Sequence, residues 1–143
     1  MSDISVSGQE SRSGCDVLIV EDDVIQSEEI AWYLARTGLA VQTAHNGSSA
    51  LLRATTSRPR VALLDYNLPD ITGVELAEQV RAFLPDAAII IMSGRIDGLS
   101  KQTLERVRIA GFVNKPIPLG PLRKAVLDLV RPAPSRRLTM SGA

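Results

Sequence analysis

Short runs of unbroken apolar residues alternate along the chain with longer stretches in which apolar positions recur every three or four residues. The short runs fall at 16–20, 39–44, 61–64, 87–92 and 111–113, and several are continuous Val, Ile and Leu, such as VLIV at 17–20. Strands buried on both faces read this way, whereas a strand with one wet face alternates. The intervening stretches carry helix signals. Ile30, Ala31 and Leu34 make one stripe, which Gly38 terminates. Thr72-Gly73-Val74-Glu75 has the form of a capping box, and Ala77, Val80 and Leu84 continue its apolar face. Leu122, Ala125, Val126, Leu129 and Val130 fall at i, i+3, i+4, i+7 and i+8, with Pro121 suited to the first turn. A weaker helix, with only Leu99, Leu104, Val107 and Ala110 as its apolar face, begins near Gly98 and is ended by Gly111.

Strand followed by helix, five times over, predicts an α/β fold with a five-stranded parallel sheet covered by helices on both faces. The 143 residues suit one domain, expected at 15–131. Residues 1–14 read as a flexible polar tail and 132–143 as a second, punctuated by Pro132 and Pro134. With its initial Met and both tails the chain reads as a whole protein without room for an output domain.

Composition narrows the class. Apolar residues form 45% of the chain, enough for a core, and sixteen basic residues cancel sixteen acidic ones. That balance is not the electrostatic footprint of a nucleic-acid binder or of a membrane-surface protein. The amino-terminal segment has no apolar stretch of signal-peptide type, and no apolar run could span a bilayer. Cys15 is the only cysteine and cannot form an internal disulfide, so a cytoplasmic location is expected. Cys15 itself reads as an inert thiol at a strand start. His45, the only histidine, reads as a loop residue on the wrong strand end for a site, and Trp32 as a packing residue.

The candidate chemistry lies where strands end. The first runs into Glu21, Asp22 and Asp23, the third into Asp65, the fourth into Ser93-Gly94, and the fifth into Asn114-Lys115-Pro116. Each has a plain structural explanation: Asp23 as a helix cap, Asp65 as the opening of a turn with Asn67 and Pro69, Ser93-Gly94 as a tight turn, Lys115 as a solvated lysine. Ligands of open parallel sheets, however, bind outside the carboxyl ends of the strands. If the first and third strands are neighbours, Glu21, Asp22 and Asp65 converge there. Adjacent like charges repel by about 1 kcal/mol in water and about 4 near a protein surface. Mg²⁺, which favours one or two carboxylates together with water and phosphate oxygens, would relieve that repulsion. Lys115 and the Ser93 hydroxyl would then face an anion beside it.

The segments VLIVEDD, LLDYNLPDITGVEL, IIIMSGR and GFVNKPI together resemble the response-regulator receiver domain of bacterial two-component signalling, over about residues 16–131. The resemblance implies a CheY-like, flavodoxin-like sheet in the order 2-1-3-4-5. It implies Asp65 as phosphoacceptor and Ser93 and Lys115 as contacts of the phosphoryl oxygens. Mg²⁺ (or Mn²⁺) would be held by Asp22 and Asp65, the backbone carbonyl of Asn67, and Glu21 directly or through water. Ser93 and Phe112 would form a switch acting on the surface of the fourth helix, fifth strand and fifth helix. The Lys115–Pro116 bond is usually cis in the family. Ser93 stands where Thr is commoner, and Phe112 where Tyr is. Asn67 and Arg95 would tune loss of the phosphate.

The implied function is a single-domain response regulator, not an enzyme beyond accepting and losing its own phosphoryl group. Its partners would be a histidine kinase or histidine phosphotransfer protein and an unidentified output protein, with no nucleic acid or membrane, as a monomer or weak homodimer. The alternative is a phosphate shuttle or sink in a His-Asp phosphorelay. A receiver excised from a larger kinase and an inactive scaffold of the same fold are further options. A flavin or nucleotide binder fits poorly, because Glu21 to Asp23 would repel a phosphate where that function needs a Gly-rich loop. A phosphatase with two aspartates two residues apart is disfavoured by Asn67 in the second place.

Overall fold

The computed structural model describes residues 14–94 and 100–130. The expected tails, the region of Arg95 and the expected helix start near Gly98 lie largely or wholly outside these residues. The elements run β1 (Val17–Val20), α1 (Val24–Ala35), β2 (Val41–Ala44), α2 (Gly47–Ser57), β3 (Val61–Asp65), α3 (Gly73–Phe83), β4 (Ala88–Ser93), α4 (Lys101–Val107), β5 (Ile109–Asn114) and α5 (Leu119–Val130).

All strand pairings are parallel, in the order β2-β1-β3-β4-β5. Leu18, Val20, Ala62, Leu64, Ile89 and Ile91 face one layer, where α2, α3 and α4 contribute Ala50, Ala54, Leu76, Ala77, Val80 and Val107. Val17, Ile19, Val61, Leu63, Ile90 and Met92 face the other, against Ile30 and Leu34 of α1 and Leu122, Val126 and Val130 of α5. Strict alternation sends neighbouring residues to opposite layers. Both layers are covered, which is why these strands are written as unbroken apolar runs. The strand order reverses between β1 and β3, and such a reversal opens a crevice at the carboxyl ends.

Local signals act as the residues predict at several places. Asp23 caps α1, accepting from the Gln26 N–H at 3.1 Å. Both halves of the Thr72–Glu75 capping box form. Gly38, just beyond α1, takes φ +92°.

Other expectations are corrected. The second strand begins at Val41 rather than 39, and the fourth helix, capped by Ser100, ends at Val107. Gly111 does not terminate that helix but lies inside β5, which occupies 109–114 rather than 111–113. The left-handed position that glycine usually fills is taken by Arg108, at φ 61°. Arg81 of α3 makes this ending tenable, because its guanidinium donates to the carbonyls of Val107 and Arg108, both at 3.1 Å. Ile109 and Ala110, which read as helical, instead open a strand whose pairing with β4 shifts register between Ile89 and Ile90. The packing of Trp32 is at the surface: it is 64% exposed, with the Arg36 guanidinium 4.7 Å from its ring centre. The inward face of α1 is Ser27, Ile30 and Leu34, and Trp32 lies off that line.

Candidate functional site

The register aligns the ends of β1, β3, β4 and β5 along one edge. Val20 pairs with Leu64, Asp65 with Met92, and Ser93 with Asn114, so the residues after each strand meet there. Glu21 and Asp65 are buried, 1% and 4% exposed, while Asp22 is open to solvent. One carboxylate oxygen from each of Glu21, Asp22 and Asp65 lies within 4.8 Å of the others.

Lys115 closes the cluster. Its Nζ is 2.9 Å from Glu21 Oε1 and 3.2 Å from Asp65 Oδ1. The Lys115–Pro116 bond is cis, and the Lys115 N–H donates to the Ser93 carbonyl at 2.9 Å, joining the ends of β4 and β5. Burial pushes the Glu21 carboxyl up from its ordinary value, against the lowering effect of its bond to Lys115. Burial likewise works to lower the Lys115 ammonium, but the bond to Glu21 and the charge of Asp65 outweigh it, and its pKa is raised. One ammonium among three carboxylates still leaves an excess of negative charge. The donor set consists of hard oxygens held close together, one face open, and fits a small divalent cation such as Mg²⁺.

The loop after Asp65 is closed on itself. The Gly73 N–H donates to the Tyr66 carbonyl at 2.7 Å, and Asn67 bridges to Thr72. Asn67 also turns its N–H toward Asp65 Oδ1, at 3.4 Å. A Cβ on residue 73 would lie 2.5 Å from the Asp65 carbonyl oxygen and 2.9 Å from Tyr66 Cα. Only glycine lets α3 begin so close to the backbone of the acidic strand end.

Ser93 is buried at the end of β4. Phe112 pairs in register with Ile91, two residues before Ser93, and is half-buried against the layer of α2, α3 and α4. Strand alternation places Ser93 on that same face.

Three contributors were not legible beforehand. His45 follows β2 at the carboxyl edge, so its strand end is the site's own, and its Nδ1 is 2.9 Å from the Glu21 carbonyl. Asp70, whose carboxylate accepts from the Gly47 and Ser48 N–H groups, and Gly73 hold the loop, and the one available signal was a glycine at the first position of a capped helix. Cys15 matches the inert reading: it is buried, donates to the Val17 carbonyl at 3.1 Å, and burial raises its pKa to about 11.

The chain resembles known proteins in this architecture. It is 30% identical over 122 residues to the response regulator MprA of Mycobacterium avium, an alignment spanning 80% of this chain and 50% of that protein. It is 32% identical over 79 residues to a probable transcriptional regulatory protein, TcrX, of Mycobacterium tuberculosis, covering 55% of this chain and 34% of that one. The chain thus spans half or less of the length of these curated relatives. Among solved structures, the chemotaxis protein CheY4 of Vibrio cholerae superposes with a TM-score of 0.74 at 27% identity, over 80% of this chain and 98% of that one. A CheY-like receiver domain protein of Methanospirillum hungatei gives a TM-score of 0.76 at 22% identity, over 81% and 93% of the two chains, a likeness of fold. The family model described as response regulator receiver domain matches residues 17–127, which hold every strand end of the acidic site. The chain belongs to the response-regulator receiver domain family of two-component signalling.

Proposed function

We propose that this chain accepts a phosphoryl group on Asp65 from a phosphohistidine donor and passes the change to a partner through α4, β5 and α5. The observation that carries the reading is Lys115, whose Nζ lies between Glu21 and Asp65 at 2.9 and 3.2 Å, in a cluster with more carboxylates than one ammonium can balance. An Asp65 oxygen attacks phosphorus in line, forming the O–P bond of an acyl phosphate as the P–N bond breaks and the imidazole nitrogen leaves with the electron pair. Lys115, already at Asp65, turns its ammonium to the transferred oxygens, and the Ser93 hydroxyl donates to another. Asp22, Asp65 and the Asn67 carbonyl, with Glu21 directly or through water, would hold a Mg²⁺ or Mn²⁺ ion, which would supply neutralisation of the phosphoryl charge. Water later cleaves the anhydride and restores the carboxylate.

The output half of the proposal rests on the shared face of Ser93 and Phe112. Drawing Ser93 toward the phosphoryl group vacates space on that face, which Phe112 can enter, shifting β5 and α4 between two packings. Location in the cytoplasm beside a histidine kinase or phosphotransfer protein belongs to the same reading. Among the described residues no helix is long and apolar enough to cross a membrane.

Intact-mass measurement after incubation with Mg²⁺ and acetyl phosphate tests the first half. One phosphoryl adduct on the wild type, lost in Asp65→Asn and lost without Mg²⁺, is expected. An adduct that survives Asp65→Asn overturns the assignment.

A further inference from the structure

The loop of residues 66–72 carries Asn67 beside Asp65; closures through Tyr66–Gly73 and Asn67–Thr72 fix its shape, and Tyr66, Leu68 and Ile71 pack its base against the core. A further contact ties down its tip. Asp70, at the loop tip, reaches across to the first turn of α2: Oδ1 accepts from the Gly47 N–H at 2.8 Å and Oδ2 from the Ser48 N–H at 3.1 Å. The Gly47 hydrogen bond holds the Asp70 carboxyl below its ordinary pKa, so it is ionised at neutral pH. Ile71 lies where residue 47 has no side chain, since a Cβ there would be 2.4 Å from Ile71 Cγ2. Meanwhile α2 has its own cap, Asn46, which accepts from the Ser49 N–H at 2.8 Å. The amino end of α2 is therefore capped twice, once by Asn46 directly before it and once by Asp70 of the loop beside the acidic cluster.

We infer that Asp70 is a positioning residue for the divalent cation: by tying the tip of the 66–72 loop to α2 it fixes the Asn67 backbone beside Asp65, and so sets the affinity of the site for Mg²⁺. This rests on the reading of Glu21, Asp22, Asp65 and Asn67 as the cation site. Groups that orient ligands from outside a metal's own shell typically carry about a tenfold effect on affinity or more. The double cap provides a control, because Asn46→Ala weakens the same helix end without touching the loop.

The test is a calorimetric titration of Mg²⁺ into the full chain and into Asp70→Ala, Asp70→Asn and Asn46→Ala, with thermal unfolding of each. Asp70→Ala should weaken Mg²⁺ binding by about tenfold. Asp70→Asn, which keeps one acceptor, should fall between it and the wild type, and decides the matter if Asp70→Ala does not fold. Asn46→Ala should lower the unfolding temperature and leave the Mg²⁺ affinity as it was. Wild-type affinity in the Asp70 variants, or an equal loss in Asn46→Ala, would reduce Asp70 to a helix cap and overturn the inference alone. A wild type that does not bind Mg²⁺ would overturn the reading of the site and the inference together.

Discussion

β1 and β3 are buried along their whole length, whereas every residue of β5 keeps some contact with solvent, and α4 buries a single side chain, Val107. The two regions share one sheet and contribute to one site, but they are built to different tolerances. Glu21 and Asp65 continue strands that cannot move without breaking both layers of the core. Lys115 arrives on a turn after a strand held on one edge by β4 alone. Local opening costs least where few apolar contacts are buried. The difference suggests a division of labour, with the centre of the sheet holding the acids in place and the β5 flank free to change its packing.

The largest effect that can test this division is a cavity. Leu63→Ala, in a fully buried position of β3, should cost about 2–5 kcal/mol in urea unfolding, while Leu104→Ala on α4 should cost about 1 kcal/mol. Equal losses would erase the distinction. Next comes the close approach of α3 to the acidic strand end. Gly73→Ala forces the Asp65 carbonyl to shift, and a displacement of that kind should slow adduct formation from acetyl phosphate by about 100-fold. A rate like the wild type's would mean that the β3 end is as pliable as the β5 flank.

The third effect is smaller and concerns Lys115, whose ammonium links the end of β5 to Glu21 and Asp65. The pKa of Lys115 is raised above its ordinary 10.5, so the native state holds that proton more tightly than the unfolded chain. Its contribution to stability is complete below about pH 10.5 and is lost as pH rises through the folded value. Urea midpoints across the alkaline range should therefore fall more steeply for the wild type than for Lys115→Met. Parallel curves would detach Lys115 from the carboxylates.

The same contrast explains what the residues disclosed in advance. Continuous apolar runs such as VLIV specify burial on both faces, and with it the parallel sheet and the edge where Glu21, Asp22 and Asp65 gather. The β5 flank was harder to read because its segments are only half buried. Gly111 signals a helix end, yet the left-handed residue is Arg108, sustained by Arg81 from another element. Asp70 and His45 escaped for a related reason: their partners are backbone groups 23 and 24 residues away, which no local pattern encodes. Where Trp32 packs was not legible either: the inward line of α1 is set by Ser27, Ile30 and Leu34, and Trp32 stacks under Arg36 at the surface.

Hydrogen exchange of the wild type, with and without acetyl phosphate and Mg²⁺ and with Asp65→Asn as the reference, tests the division most directly. Protection should change in α4, β5 and the start of α5 and stay constant in β1 and β3, with no change anywhere in Asp65→Asn. A change spread evenly over the sheet, or one confined to β1 and β3, would contradict a rigid acidic centre driving a loose flank.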